Sequence, residues 1–439
     1  MIDALVLGGG PAGATAARLL AGWGHNVVIA AGPAARHSMA ECLPPSTRKV
    51  FRFLGIEEAV AAAGFLATSG NTVWWGGSRR RVEPYPEGAG YQVLRRDFDR
   101  LLHSLAESAG VRTIPPGAPR PAARFVLDCS GRAGVLARQY RVRPKHSRTV
   151  ALCGVWRSER GWRLPDASHT LVEAYADGWA WSVPLSRTLR HVAFMVDPAE
   201  TRLPSYAAEL AKTRAFRRIF AQSELVTAPW GRDASPYTSR QFCGPDFLFA
   251  GDAASSIDPL SSFGVKKAMV SGWAGAVVAN TWLRRPAMRQ AALRFHEERE
   301  RQVYESYQRQ AGSFWGARSE PGEGSPLALP DERVHAAWQG LREMPEIRLR
   351  RGDGVEALEK PRIRDCEVVL GTAFAPPGGE PLDFVAGVEV SRLVELAPHC
   401  RHVPDFFEAY NRMAAPVELP QFVTALSTLV ASGILVSLQ

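Results

Sequence analysis

The sequence predicts a mixed α/β fold: a parallel sheet flanked by helices, an antiparallel sheet inserted into it, and a small mixed domain after it. Three observations predict this. Ile2 to Leu7 is an apolar strand that runs into Gly8-Gly9-Gly10-Pro11-Ala12-Gly13, a small-residue helix from Ala14 to Trp23 and a second strand from Asn26 to Ala30. The stretch from about Thr149 to Pro198 alternates apolar and polar residues, the period of a half-buried strand. Near the middle of the chain, Phe247 to Ala250 is a further strand, followed by a Gly-Asp turn, a polar loop and an apolar helix from Lys266 to Leu283 that stops before Pro286.

Composition bounds the answer. The chain has 439 residues, enough for about three domains, and 46% of them are hydrophobic and 22% charged, as in globular proteins. The net charge is +9, carried almost entirely by arginine, because lysine occurs only at positions 49, 145, 212, 266, 267 and 360. Arg79-Arg80-Arg81 is the densest basic run, too short for a nucleic-acid tail. A solvated basic surface is one reading of the charge; an acidic macromolecular partner is the other. The six cysteines are scattered and none forms a CxxC pair, so neither a metal site nor a disulfide framework is expected. His399-Cys400-Arg401-His402 is spaced too tightly for a standard zinc site. The first strand begins within two residues, leaving no room for a signal peptide, and Phe422 to Leu438 is short for a membrane span. A cytoplasmic protein with no membrane and no nucleic-acid role is expected.

Taken in order, the first unit is β-α-β with G-x-G-x-x-G at its turn. Such glycines let a backbone approach a pyrophosphate and let helix and strand pack closely, with the phosphates on the helix N-terminus, so the unit reads as Rossmann-like and dinucleotide-binding. The acidic residue that usually holds the ribose hydroxyls is absent; Ala31 stands there, with Arg36 and Glu41 as nearby polar residues. Met39 to Ser46 reads as a loop, with Ser46 as N-cap of a helix through Leu54. Val73-Trp74-Trp75 and Arg81-Val82-Glu83 read as hairpin strands around Gly76-Gly77. Arg95 opens an amphipathic helix to about Ala109, and Phe125 to Asp128 is a strand ending in Asp128-Cys129-Ser130-Gly131. Trp179 and Trp181, two apart, share one face of a strand, which is either sheet core or a wall beside a cofactor. Leu203 to Phe220 and Ala287 to Gly312 read as helices. The end of the chain reads as helix, Gly433 cap and strand.

Four motifs now stand in order: Gly8 to Gly13, Arg95-x-x-Phe98-Asp99, Asp128 to Gly131, and Gly251-Asp252 through Val265. Together they resemble the FAD-dependent aromatic monooxygenases of the p-hydroxybenzoate hydroxylase type and the related flavin-dependent halogenases, over roughly residues 1 to 285. The resemblance implies a Rossmann-like FAD-binding domain made of segments about 1–70, 95–148 and 240–285. The inserted β-sheet substrate domain would span about 71–94 and 149–239. Residues 286–330 would be a connecting helix and linker, and 331–439 a small C-terminal domain. It implies that Gly8, Gly10, Pro11, Ala12 and Gly13 cradle the FAD pyrophosphate, that Arg95 lies along the cofactor, and that Gly251 and Asp252 hold the ribityl side. Pro259 would approach the reactive flavin edge, with the Gly264 and Val265 N–H groups on the pyrimidine. Glu41 and Asp258 are the polar groups nearest the flavin in this reading, catalytic or structural; Trp74, Trp179 and Trp181 would line the substrate pocket.

The Glu41 to Ser46 loop and Gly178-Trp179-Ala180-Trp181-Ser182-Val183-Pro184 are similar to the halogenase branch. That branch needs a lysine on a strand between the Glu41 loop and Arg95; Lys49 is the only lysine there, and it lies in the helix. Arginine has no accessible neutral amine with which to form a chloramine. The expected function is therefore hydroxylation of an aromatic ring, indole or tryptophan, free or peptide-bound, through a flavin C4a-hydroperoxide, with NAD(P)H and O2 as co-substrates. A narrower resemblance is to flavoproteins that hydroxylate a peptide-bound tryptophan in tryptophylquinone biogenesis, in which case the partner is a small acidic protein. The alternatives are a flavin-dependent halogenase and a non-catalytic binding protein on the same fold.

Overall fold

The structure is a computed structural model and describes residues 1–32, 37–75, 80–144, 148–198, 205–316 and 332–437. The chain divides into two compact units, Met1–Gly322 and Glu323–Gln439.

The first unit is built on a six-stranded sheet in the order Cys243–Gly244, Phe247–Phe249, Ala123–Asp128, Ile2–Leu7, Val27–Ala30, Arg112–Ile114. All pairs are parallel except the first, a short hairpin. Its strands are near-continuous apolar runs because both faces are covered. Leu7, Asp128 and Phe249 stand side by side in register, so the turns that follow these three strands leave the sheet at one edge. This is where α/β sheets bind ligands.

Two helices cover that edge. Pro11–Gly22 starts with proline at its first position, where a missing N–H costs nothing. Gly264–Arg284 is almost wholly buried and rich in small residues. The two cross at Gly272, where a Cβ would lie 2.3 Å from the Ala12 carbonyl oxygen. Further helices are Ser46–Phe53, Arg95–Ser108 and the long Arg289–Gly316.

A seven-strand path forms the inserted sheet: Glu224–Leu225, Val150–Arg157, Leu189–Val196, Gly178–Pro184, Thr170–Tyr175, Gly70–Trp74 and Arg80–Pro84, with Trp230–Asp233 also pairing Val150–Arg157. The hairpin strands pair as expected, Trp74 opposite Arg80; Gly76, Gly77 and Arg79 lie outside the described residues, as does Arg36. One face packs Phe194, Val192 and Leu171 against Tyr206, Phe216 and Phe220. The helical span expected from Leu203 to Phe220 is two helices, Tyr206–Lys212 and Ala215–Ile219. The break occurs where the buried Glu173 carboxylate accepts from the N–H groups of Arg214, Ala215 and Phe216 at 2.6, 3.0 and 2.8 Å. A negative charge at a helix start satisfies donors that would otherwise be orphaned.

Two local expectations are corrected. The Met39 to Ser46 segment is not all loop: Ala40–Leu43 is a strand paired with Gly90–Leu94. Its alternation is too short to stand out before Pro44-Pro45. Ser46 is the first helical residue, not the cap; the Pro44 carbonyl accepts from Thr47 N–H at 2.8 Å.

The second unit has its own core around Phe406, Tyr410, Phe422 and Leu426. A hairpin, Glu356–Arg364 with Glu367–Ala375, accompanies helices Glu332–Glu343, Val390–Leu396, Val403–Met413 and Leu419–Ala431. The last of these ends before Gly433 at φ 77°, and strand Leu435–Ser437 follows, as the sequence predicts. Among the described residues no helix is long and apolar enough to cross a membrane, and no group of acidic, histidine or cysteine side chains could hold a metal ion.

Candidate functional site

The Gly8 to Gly13 turn is built by close approach. Gly8 has φ 95°, and a Cβ there would lie 2.7 Å from the Cys129 carbonyl oxygen, so the first strand's turn rests on the Asp128–Gly131 turn. A Cβ on Gly13 would lie 1.9 Å from the Gly8 carbonyl oxygen; only hydrogen fits. At Gly10 the sole neighbour of such a Cβ is the Arg95 guanidinium, 3.9 Å away. No side chain caps the helix that begins at Pro11, so its first N–H groups are left for a ligand.

Gly251 ties this turn to the second half of the site. It has φ 65°, and its Cβ would fall 2.8 Å from the Ala12 methyl and 3.5 Å from that of Ala268. The Gly251-Asp252 turn is thus wedged between the first turn of one helix, at Ala12, and the second turn of the other, at Ala268. The helix beginning at Gly264 also lacks a side-chain cap, and a Cβ at Gly264 would meet nothing within 4 Å. Asp252, in the turn between these two uncapped helices, makes no side-chain hydrogen bond to another described residue.

Arg95 stands at the centre of the charges. It donates to Asp99 at 3.1 Å and approaches the Glu41 carboxylate at 3.5 Å. Burial pushes the Glu41 carboxyl above its ordinary range, and Arg95 opposes this. The strand explains the placement. Ala40 and Cys42 face Val183 and Trp181 of the inserted sheet, whereas Leu43, two residues from Glu41, packs with Ala14, Val265 and Met269. Glu41 is thus directed toward Arg95, and the structure offers no link between it and the second strand's end at Ala31. Asp128 is a structural carboxylate: buried, it accepts from the N–H groups of Ser130, Leu136 and Ala137. Asp258 accepts from Leu260 N–H at 2.9 Å and so caps the Pro259–Ser261 turn.

The tryptophans divide by strand parity. Trp179 and Trp181 lie on the same face and cluster with Cys153, Met195, Met39, Trp75, Trp230 and Leu260. Leu260 follows Pro259, so this face meets the loop expected at the flavin's reactive edge. Trp74 is corrected: it packs on the opposite face with Trp156, Trp162 and Phe220 beneath the two short helices. Trp75, one residue on, lies on the Trp179–Trp181 face instead.

Sequence reasoning missed several groups. Lys267 is buried and donates to the carbonyls of Gly251, at 3.0 Å, and Ser255, which fixes the central loop. His103 sits 3.4 Å from a Cβ on Gly9 and 3.0 Å from Thr113, a polar pair beside the end of the second strand. His191 lies between Trp181 and Trp230. The hairpin alternation of Gly178–Pro184 with Leu189–Val196 could have put His191 on the Trp181 face.

Comparison with known proteins agrees with this geometry. The family description "FAD binding domain" matches residues 1–118, and "Tryptophan halogenase" matches residues 119–316. The two matches together span residues 1–316 and make the chain similar there to flavin-dependent halogenases and related FAD-dependent enzymes. Tryptophan 2-halogenase of Chondromyces crocatus is 31% identical over 312 residues, 61% of this chain and 59% of that one. The chain thus spans about three fifths of that relative. The flavin-dependent halogenase rdc2 of Metacordyceps chlamydosporia is 24% identical, covering 67% of this chain and 68% of its own. Among solved structures, the flavin-dependent halogenase CmlS superposes with TM-score 0.74 at 20% identity, over 99% of this chain and 96% of that one. Peptidyl tryptophan dihydroxylase QhpG, described as essential for tryptophylquinone cofactor biogenesis, gives 0.69 at 23%, over 98% and 99%. These two likenesses extend the shared fold over nearly the whole chain.

The residues present fit FAD. The Gly8–Gly13 cradle with Arg95 beside Gly10 suits a pyrophosphate, the Asp252 carboxylate suits a polyol, and the Gly264 helix start suits an electron-rich ring edge. Bound there, FAD supplies redox chemistry the side chains lack.

Proposed function

We propose that this chain is an FAD-dependent enzyme that transfers oxygen to an electron-rich aromatic ring, with the indole of tryptophan as the first candidate. The observation that carries oxygen over halogen is the engagement of the lysines. Lys49 is exposed, at 69% of its side-chain area, and pairs with Glu87 at 3.4 Å. Lys212 pairs with Asp177 and Glu209, Lys267 is held by loop carbonyls, Lys266 lies over Phe263, and Lys360 pairs with Asp383. Lys145 lies outside the described residues.

Halogen transfer is the second reading, and the comparisons taken alone back it better than oxygen transfer, since the curated relatives are named halogenases. The fold over the second unit, shared with a peptidyl tryptophan dihydroxylase as well as with a halogenase, is compatible with both readings.

In the oxygen-transfer reading Gly8, Gly10, Pro11, Ala12, Gly13 and Arg95 bind the phosphates, Gly251 and Asp252 hold the ribityl chain, and the Gly264 and Val265 N–H groups stabilise negative charge on the pyrimidine. Trp75, Trp179 and Trp181 exclude water and position the ring in front of Pro259. Glu41, with its carboxyl raised, holds Arg95 in place and can carry a proton beside the cofactor. Electrons come from NAD(P)H, and a basic surface steers an acidic peptide or protein substrate. Incubating the protein with FAD, NAD(P)H, O2, bromide and a tryptophan peptide tests this. A gain of oxygen mass supports it; a gain of bromine transfers the conclusion to the second reading.

A further inference from the structure

The pocket face contains a polar pair that neither the fold nor the flavin chemistry uses. His191 is fully buried at 0% exposure, and neither ring nitrogen has a hydrogen-bond partner among the described residues. Its ring lies edge-on to Trp181 at 5.8 Å and to Trp230 at 5.7 Å between centroids. The indole nitrogen of Trp230 is also buried and without a partner. His37 stacks on Trp230 at 4.6 Å. Opposite His191 in the hairpin stands Val183, which packs with Ala40 and Cys42, so the histidine borders the wall between sheet and cofactor domain.

Burying a polar atom without a partner is costly, so natural cores pair them. Three such atoms in one patch, on a face that meets the Pro259 loop, point to a ligand as the absent partner, one that parts the side chains covering them in the ligand-free chain. A neutral imidazole offers one acceptor and one donor; an indole N–H offers one donor. Burial lowers the His191 pKa to about 4, which keeps the ring neutral and its lone pair available at ordinary pH.

We propose that His191, with Trp230, is a specificity-determining pair that receives the polar edge of the aromatic substrate, a ring bearing an N–H or O–H. His191 accepts the ring-borne hydrogen, and the Trp230 N–H is available to an acceptor on the same ligand. The ring lies against Trp181, its plane set by these contacts, which fixes the carbon presented toward Pro259. This inference deepens the oxygen-transfer reading but does not depend on which atom is transferred.

The test measures equilibrium binding to the full-length, FAD-loaded chain with two probe pairs, indole against 1-methylindole and phenol against anisole. Each second member lacks the donor. The expected result is a preference of tenfold or more for the donor-bearing member of at least one pair. His191→Phe should reduce that preference to near unity while 1-methylindole or anisole affinity stays within about twofold. His191→Gln, which can still accept, should restore part of it, and provides the readout if the Phe variant loses its flavin. Contrast in the indole pair assigns the donor to N–H, and contrast in the phenol pair assigns it to O–H. Equal affinities within both pairs for the wild-type chain, or an unchanged preference in His191→Phe, overturns the proposal. A retained preference without any oxygen or halogen product supports the pair and overturns the catalytic reading instead.

Discussion

At Gly13 there is space for hydrogen only. A Cβ 1.9 Å from the Gly8 oxygen must force strand and helix apart, and the cradle with them. We expect Gly13→Val to abolish bound flavin, read as loss of visible absorbance in the purified protein; ordinary flavin content would remove the cradle from this turn. Lys49→Ala should behave oppositely. Its ion pair with Glu87 is exposed, and such pairs contribute within about 1 kcal/mol. Turnover and melting temperature should stay at wild-type values, and loss of turnover with normal flavin content would return Lys49 to the chemistry. His191 makes a pH prediction. Burial alone lowers its pKa from the unfolded value of 6.5 to about 4, so between these values the unfolded chain binds more protons. Stability contributed by keeping it neutral is present above about pH 6.5 and is lost as pH falls toward 4, by up to about 3 kcal/mol. Chemical denaturation at pH 7 and pH 5 should therefore show a smaller acid loss for His191→Phe than for wild type.

Among elements, strand parity decides what the tryptophans do. Trp74→Ala opens a void under Tyr206 and Phe220 and should lower stability by roughly 3 kcal/mol while leaving substrate KM near wild type. Trp75→Ala should chiefly change KM. A shared effect on KM would mean that both side chains reach the substrate. The parallel sheet, its two Gly-rich turns and the final helix-Gly433-strand were legible because each carries a local signature: apolar runs, glycine spacing, a cap. The Ala40–Leu43 strand was not, because four residues cannot display a period before two prolines end them. That Trp74 and Trp75 pack in different clusters was missed because adjacent tryptophans face opposite ways, and only pairing with Thr170–Tyr175 fixes which way. His191 was only half legible: hairpin alternation could have placed it beside Trp181, but its other neighbour, Trp230, comes from a separate strand 39 residues downstream. Lys267 carried no role in the sequence because nothing local shows that the helix turns it inward to the carbonyls of the central loop.

At the scale of the whole molecule, the nucleotide sheet, the inserted sheet and the central helix lie in one compact unit, and the second unit has a hydrophobic core of its own residues. Residues 1–316 produced alone should therefore still bind FAD; colourless protein would mean that cofactor affinity depends on the second unit. The central claim is that the aromatic face in front of Pro259 receives a ring for oxygen transfer, in a fold whose named relatives are halogenases. The most direct measurement supplies FAD, NAD(P)H, isotopically labelled dioxygen, excess bromide and a tryptophan peptide together, and records the product mass. Labelled oxygen on the indole ring, with no bromine, is the predicted result. Brominated peptide without labelled oxygen would contradict it.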